Sequence, residues 1–253
     1  MREFTSDSLA VCQHPDRASL GAAAARRVAE SLRRTITDSG AARAVFACAP
    51  SQNEFLDALV TEAVDWSRVT VFHMDEYVGL SAAHPASFRR FLHEHLIARI
   101  AAPRAVHGIR ADEDIAAECR RYAALLAEHP LDLVCLGIGE NGHLAFNDPP
   151  VADFHDPMLI KPVALDDACR QQQVNDGCFP ALAAVPTHAL TLTIPALMGA
   201  RELSCVVPGH RKAAAVRAAL LGPVATACPA SILRTHPRAV LHLDDAAAAL
   251  LEK

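Results

Sequence analysis

Short runs that are apolar on both faces, separated by longer stretches of helical period, constrain this chain more than any other feature. The runs are "AVFACA" (44–49), "VTVFHM" (69–74), "AVHGI" (105–109), "LDLVCLGI" (131–138), "HALTLTI" (188–194), "ELSCVV" (202–207) and "AVLHLD" (239–244). A strand apolar on both faces is covered on both sides, as in a parallel sheet. Between the runs lie "RASLGAAAARRVAESLRRTI", which opens the chain, then "NEFLDALVTEAV", "SFRRFLHEHLIARI", "DIAAECRRYAALLAEH" and "RKAAAVRAALLG". Each repeats its apolar residues at helical spacing, as Phe55, Leu56, Leu59, Val60 and Val64 do. The closing "DAAAALLEK" reads as a last helix. The alternation predicts an α/β fold: a single open, mostly parallel twisted sheet with helices on both faces, Rossmann-like, in one domain over 1–253. Residues 149–187 break the pattern with prolines, Gln171 to Gln173 and "NDGCFP", and are expected to form a loop or lid over the site.

Composition removes several functions. With 253 residues, 51% of them hydrophobic, the chain can bury a substantial core. Its net charge of −5 offers no basic excess for a phosphate backbone, so no nucleic-acid partner is expected. No apolar run reaches the ~20 residues of a membrane helix. The start, "MREFTSDSLAVCQHPD", lacks a signal-peptide core, so a cytoplasmic protein with no membrane partner is expected. The eight cysteines form no CxxC pair and read as buried reduced thiols, with neither a disulfide framework nor a metal site expected.

In an open parallel sheet, ligands bind beyond the carboxyl ends of the strands. The first strand leads into "PSQNEF" (50–55), where Ser51 or Asn53 is placed to cap a helix and the helix start to hold an anion. The second leads into "MDEYVGL" with two adjacent acids, and the third into "RADED", an ordinary helix start. The fourth leads into "GIGENGHLAFNDPP". There Gly137, Gly139 and Gly142 permit a close backbone approach, and His143 supplies an imidazole, the side-chain type suited to acid–base work. Glu140 and Asp148 are both candidates to orient it. "GHRKAAAV" (209–216) puts Arg211 and Lys212 at a helix start, where cations oppose the helix dipole unless an anion binds. Together these ends suit proton transfer on a small phosphorylated molecule. The absence of G-x-G-x-x-G after the first strand argues against a dinucleotide site, and that of GxxxxGK[ST] against a nucleoside triphosphatase.

"MDEYVGL", "GENGHLAFNDP" and "GHRKAAAV", in this order and spacing, resemble the glucosamine-6-phosphate deaminase (isomerase) family, whose fold is shared with 6-phosphogluconolactonases. The resemblance spans about residues 40–245 and is supported by "HPASFRRFLHEHL", "IAAECRRY" and "THALTLTIPALM". The lactonase branch has "DER" where this chain has "DEY" and lacks the "AFNDP" ending, so the deaminase branch fits better. The resemblance implies a sugar-phosphate isomerase-type fold and a role in amino-sugar and carbohydrate metabolism. The implied reaction opens the ring of a 2-amino sugar phosphate, moves a proton between C2 and C1, and releases ammonia to leave fructose 6-phosphate. By the same resemblance Asp75 carries the proton, His143 assists ring opening, Asp148 partners it where the family has glutamate, and Lys212 holds the phosphate. No metal or organic cofactor is implied. Glu140 and Asn141 are further candidates for the catalytic group; Ser51, Gln52, Gly139 and Arg211 are candidates for substrate binding.

Several departures accompany the resemblance. Asn141 replaces an aspartate, Asp148 is one methylene shorter than the family's glutamate, and "APSQNEF" replaces a glycine- and threonine-rich phosphate loop. No residue clearly matches the lid arginine, though Arg170 lies near. The basic residue before "IK" in allosteric members is Leu159 here, and their C-terminal extension is absent, so no activation by an N-acetylated sugar phosphate is expected. The competing readings are a sugar-phosphate lactone hydrolase on the same fold and a non-catalytic sugar-phosphate sensor. Family members are monomers or larger assemblies, so a homo-oligomer remains open at the level of sequence.

Overall fold

The computed structural model describes residues 2–251. The chain opens with an antiparallel hairpin, β1 (Arg2–Ser6) and β2 (Leu9–His14), and not with a helix. The hairpin escapes detection by apolar periodicity because β1 is largely exposed, and its two-residue turn carries only Asp7, at φ 51°, as a signal. Next comes α1 (Arg17–Ser39), started by a reciprocal cap in which Asp16 accepts from the Ser19 amide at 2.7 Å. Such a cap contributes about 1 kcal/mol.

The remaining strands are β3 (Ala42–Phe46), β4 (Val69–His73), β5 (Asp75–Tyr77), β6 (Ala105–His107), β7 (Leu133–Leu136), β8 (Ile160–Ala164), β9 (His188–Leu192), β10 (Glu202–Val207) and β11 (Ala239–Asp244). The helices are α2 (Asn53–Leu59), α3 (Phe88–His95), α4 (Ile115–Ala127), α5 (Asp167–Asn175), α6 (Ile194–Met198) and α7 (Ala213–Leu221). The main sheet runs β1-β2-β11-β10-β7-β3-β4-β6 and is parallel throughout except for β1. Two apolar clusters flank it. One is built around Val134, Leu136, Cys205 and Leu241, the other around Phe46, Val71, Leu133 and Cys135. Alternate residues of β7 and its neighbours feed opposite clusters, which is why these strands read as continuous apolar runs.

Two further elements depart from the sequence expectation. The run at 188–194 is not part of the main sheet: β9 lies between β5 and β8 in a small antiparallel sheet. Burial on both faces marks a covered strand without saying which sheet covers it. The closing helix is not seen, and residues 245–251 form turns instead. Asp244 sets them up by accepting from the Ala247 amide at 2.7 Å and the Gly209 amide at 2.9 Å. The rest of that expected helix, residues 252–253, lies outside the described residues.

The segment 149–187 contains β8, α5 and a 3-10 turn at Leu182–Ala184, so it is more regular than its sequence suggests. Close packing of α1 on α2 positions the loop after β3. A Cβ at Gly21 would fall 2.6 Å from the Glu54 carbonyl carbon, so only glycine permits this contact. Arg17 completes it with an ion pair to Glu54 at 2.6 Å.

Candidate active site

The strand order reverses between β3 and β7, and a ligand crevice is expected at such a switch point. A cleft lies there. Residues following four strands line it: Ser51 and Gln52 after β3, Asp75 after β4, Gly139 and His143 after β7, and Lys212 after β10.

Two adjacent acids are separated by strand alternation. Glu76 turns into the protein, where it accepts from Ser87 Oγ at 2.8 Å, the Arg89 amide at 2.9 Å and the Phe88 amide at 3.1 Å. It thereby anchors the start of α3. Asp75 faces the cleft, buried and without a hydrogen bond to its carboxylate among the described residues. Burial first, then the nearby Glu76 and Asp148 charges, push its carboxyl well above the usual carboxylate range.

A tight turn unites His143 with Asp148. Asn147 donates from Nδ2 to the Leu144 and Leu192 carbonyls, both at 2.8 Å, and its amide donates to Leu144 at 3.1 Å. Within this turn Ala145 adopts φ 51°, a left-handed conformation that is strained for a residue with a Cβ. The turn brings His143 Nδ1 to 2.8 Å from Asp148 Oδ1, close enough for an ion pair but not aligned as a hydrogen bond. Burial would raise the Asp148 carboxyl, but His143 and then Asn141 outweigh it and hold it below its ordinary value. The imidazole lies flat on Gly139. A Cβ there would fall 2.2 Å from Nε2, so any side chain at 139 displaces the ring.

Asn141 has a defined task. Its Nδ2 donates to Asp148 Oδ1 at 2.9 Å, and its Oδ1 accepts from the His143 amide at 3.0 Å. A carboxylate could not make the first bond. Asn141→Asp therefore sets two acids in contact, raises the Asp148 carboxyl and weakens its hold on His143 as the pH falls. We expect turnover to drop about tenfold near neutrality, the loss growing toward acid while KM stays within a few-fold. A pH–rate profile superimposable on that of the unmodified protein would refute this role.

Lys212 is about 93% buried, being 7% exposed, and its ammonium has neither an ion pair nor a hydrogen bond among the described residues. Burial lowers its pKa, against the raising effect of Asp176 and Glu140. Arg211 does not line the cleft. It pairs with Asp176 and lies 3.3 Å from Glu140. Glu140 is thus directed to Arg211, and of the two acids it is Asp148 that stands beside the imidazole. Neither Ser51 nor Asn53 caps α2, which is entered through a 3-10 turn. Instead Gln52 Nε2 donates to the Val206 carbonyl at 3.2 Å and to Ser51 Oγ at 3.1 Å, fixing this loop beside Lys212.

A sequence model of the glucosamine-6-phosphate isomerase/6-phosphogluconolactonase family matches residues 15–156. The chain is 37% identical to a glucosamine-6-phosphate deaminase of Lactobacillus delbrueckii subsp. bulgaricus over 215 residues, 85% of this chain and 90% of that one. It is 37% identical to the protein of the same name from Listeria monocytogenes serotype 4a over 230 residues, 90% of this chain and 96% of that one. The chain belongs to this family. Its fold superposes on that of a monomeric glucosamine-6-phosphate deaminase with a TM-score of 0.87 at 29% identity, covering 95% of this chain and 99% of that one. A 6-phosphogluconolactonase from Shewanella baltica shares the fold at a TM-score of 0.77 and 19% identity, covering 95% and 99%.

Within the isomerase/lactonase family, this chain's cleft includes residues that its sequence motifs do not single out. From α5, Gln172 and Gln173 line the cleft, and Gln172 Oε1 accepts from the Glu140 amide at 2.8 Å. Cys169 of the same helix packs against the His143–Asp148 pair. The only sequence signal for this helix is the capping Asp166, which accepts from the Cys169 amide at 2.6 Å. Arg170 is not directed at the cleft. It binds Asp167 at 2.9 Å and the Leu182 carbonyl at 2.8 Å, holding its own segment together. Among the described residues, no helix is long and apolar enough to cross a membrane.

Proposed function

We infer that this protein is a glucosamine-6-phosphate deaminase, converting the amino-sugar phosphate and water to fructose 6-phosphate and ammonia. One observation carries the reading: a buried carboxylate and a buried ammonium, both without a partner among the described residues, face one cleft that also holds a carboxylate-backed imidazole. Leaving Lys212 unpaired costs stability, and a substrate phosphate would remove that cost. Phosphate held by Lys212 and the Ser51–Gln52 loop would fix the sugar at its far end and orient the reacting carbons.

In this reading His143 serves the ring oxygen and anomeric hydroxyl. With Nδ1 turned to Asp148, Nε2 is the nitrogen left to serve the cleft, and Asp148 stabilises the imidazolium when it forms. Asp75 then takes the proton from C2 and returns it to C1, one carboxylate serving two adjacent carbons. Water adds at C2, the amine departs as ammonia, and the ketose phosphate remains. The raised basicity of Asp75 suits this role, since a carboxyl with an ordinary pKa is a poor base toward carbon. We read α5 and its flanks as the lid, with Gln172 and Gln173 as its contribution to the cleft.

The test is ammonia release from a panel of 2-amino-2-deoxyhexose 6-phosphates, with the unphosphorylated sugars and a 6-phosphogluconolactone beside them. Release from glucosamine 6-phosphate, with little from the unphosphorylated sugar, is the expected result. Lactone hydrolysis without ammonia release from any amino sugar would overturn it.

A further inference from the structure

Outside the acid–base roles above, one cluster has a composition that proton transfer does not require. His143 Nδ1, a carboxylate oxygen of Asp148 and Cys169 Sγ all lie within 4.8 Å of one another, and all three residues are buried. Nδ1 of His143 lies 2.8 Å from Asp148 Oδ1 without hydrogen-bond alignment, and Asp148 Oδ2 is buried with no aligned partner among the described residues. Buried polar atoms normally make aligned hydrogen bonds, so a donor set this close and this poorly aligned is one that an ion could bridge. The donors are an imidazole nitrogen, a carboxylate oxygen and a sulfur, which together suit Zn²⁺ better than the hard cations Mg²⁺ or Ca²⁺. Ligands around one tetrahedral zinc stand roughly 3–4 Å apart, so closing this set needs side-chain shifts of about 1 Å.

We propose that His143, Asp148 and Cys169 form an inhibitory zinc site, in which the ion switches the enzyme off by capturing its ring-opening histidine. The proposal rests on the function inferred above for its regulatory meaning, but not for the binding itself. Zinc on Nδ1 fixes the neutral imidazole in the tautomer with its proton on Nε2. The nitrogen left to serve the cleft then donates only and cannot accept a proton. Asp148, spent on the ion, no longer stabilises an imidazolium. The Cys169 thiol proton passes to solvent as the Zn–S bond forms, so binding weakens as the pH falls. A fourth coordination position stays open to water or a substrate hydroxyl. The sequence expectation of no metal site rested on the missing CxxC pair. Here the single cysteine joins a histidine and an aspartate more than twenty residues upstream, a grouping that only folding creates.

The experiment uses the full chain, freed of metal with a chelator and titrated with Co²⁺ as a spectroscopic stand-in, then with Zn²⁺. Expected is a near-ultraviolet thiolate-to-cobalt absorption band that Zn²⁺ abolishes on displacing Co²⁺, with loss of ammonia release at the same zinc stoichiometry. Cys169→Ser and His143→Gln, each checked for native circular dichroism, should lose the band and weaken zinc affinity at least about tenfold. Zinc inhibition of Cys169→Ser, measured against its own metal-free rate, should weaken equally. A band that persists in both variants, or equal zinc inhibition of Cys169→Ser, would place the metal at another cysteine and overturn the proposal. The absence of any band in the unmodified protein would overturn it too. Failure of the metal-free protein to release ammonia would count against the proposed function alone, because the cobalt band reads the site without turnover.

Discussion

Replacing Asp75 with asparagine is expected to lower the turnover number for ammonia release by about 10²–10⁴-fold while KM stays within a few-fold. The amide keeps the shape of the side chain and loses only the basic oxygen. No hydrogen bond to the Asp75 carboxylate is broken among the described residues, so the cleft has no reason to rearrange. Removal of the buried charge also relieves the repulsion from Glu76 and Asp148 that raises the Asp75 carboxyl. Stability should therefore hold or rise at neutral pH, which separates a lost base from a lost fold. The same raised basicity sets a pH dependence in the unmodified protein. With Asp75 as the proposed base its ionised form is the active one, so turnover is expected to climb with pH through a midpoint above the ordinary value of 3.8. Undiminished turnover in the variant would exclude Asp75 as the base.

Replacement of Lys212 with methionine should move activity and stability in opposite directions. Loss of a charge-assisted contact to phosphate removes about 1.5–3 kcal/mol, or roughly 10- to 150-fold in kcat/KM for a phosphorylated substrate. An unphosphorylated amino sugar should lose far less. Without substrate, however, the ammonium is a buried cation with no partner among the described residues. Its folded-state pKa lies below the ordinary 10.5, so the unfolded chain binds the proton more tightly and folding carries a penalty at neutral pH. That penalty fades as pH rises through the folded pKa toward 10.5. Methionine keeps the stem's packing and lacks the charge, so the melting temperature of the substrate-free variant should rise at pH 7. Equal losses for phosphorylated and unphosphorylated sugars would sink the phosphate assignment, and a lower melting temperature would sink the unpaired-cation argument.

Much of the site is legible in sequence because each part follows a strand, and strand ends can be found from apolar runs alone. Asp75, His143, Lys212 and the Ser51–Gln52 loop all lie on one cleft, as the order of strands in a parallel sheet requires. Side-chain direction is less legible. Glu140 and Asp148 flank His143 equally well in sequence, yet Glu140 is drawn to Arg211, while the Asn147-locked turn carries Asp148 back to the imidazole. Arg211 and Lys212 are neighbours with opposite fates, one paired at the rim and the other alone in the cleft. The contribution of α5 was hidden because residues 149–187 show no clear apolar period.

By itself the sequence determined the α/β class, the order of the chemistry-bearing strand ends and the family, because apolar periodicity and short motifs are local and each strand end is contiguous in the chain. Only the tertiary structure decided which acid serves the histidine, which cation is free for an anion, and that Cys169 stands beside His143 and Asp148. Those outcomes depend on contacts between residues distant in sequence. Burial there makes each charge seek the partner that packing brings within reach, and no local pattern encodes that choice.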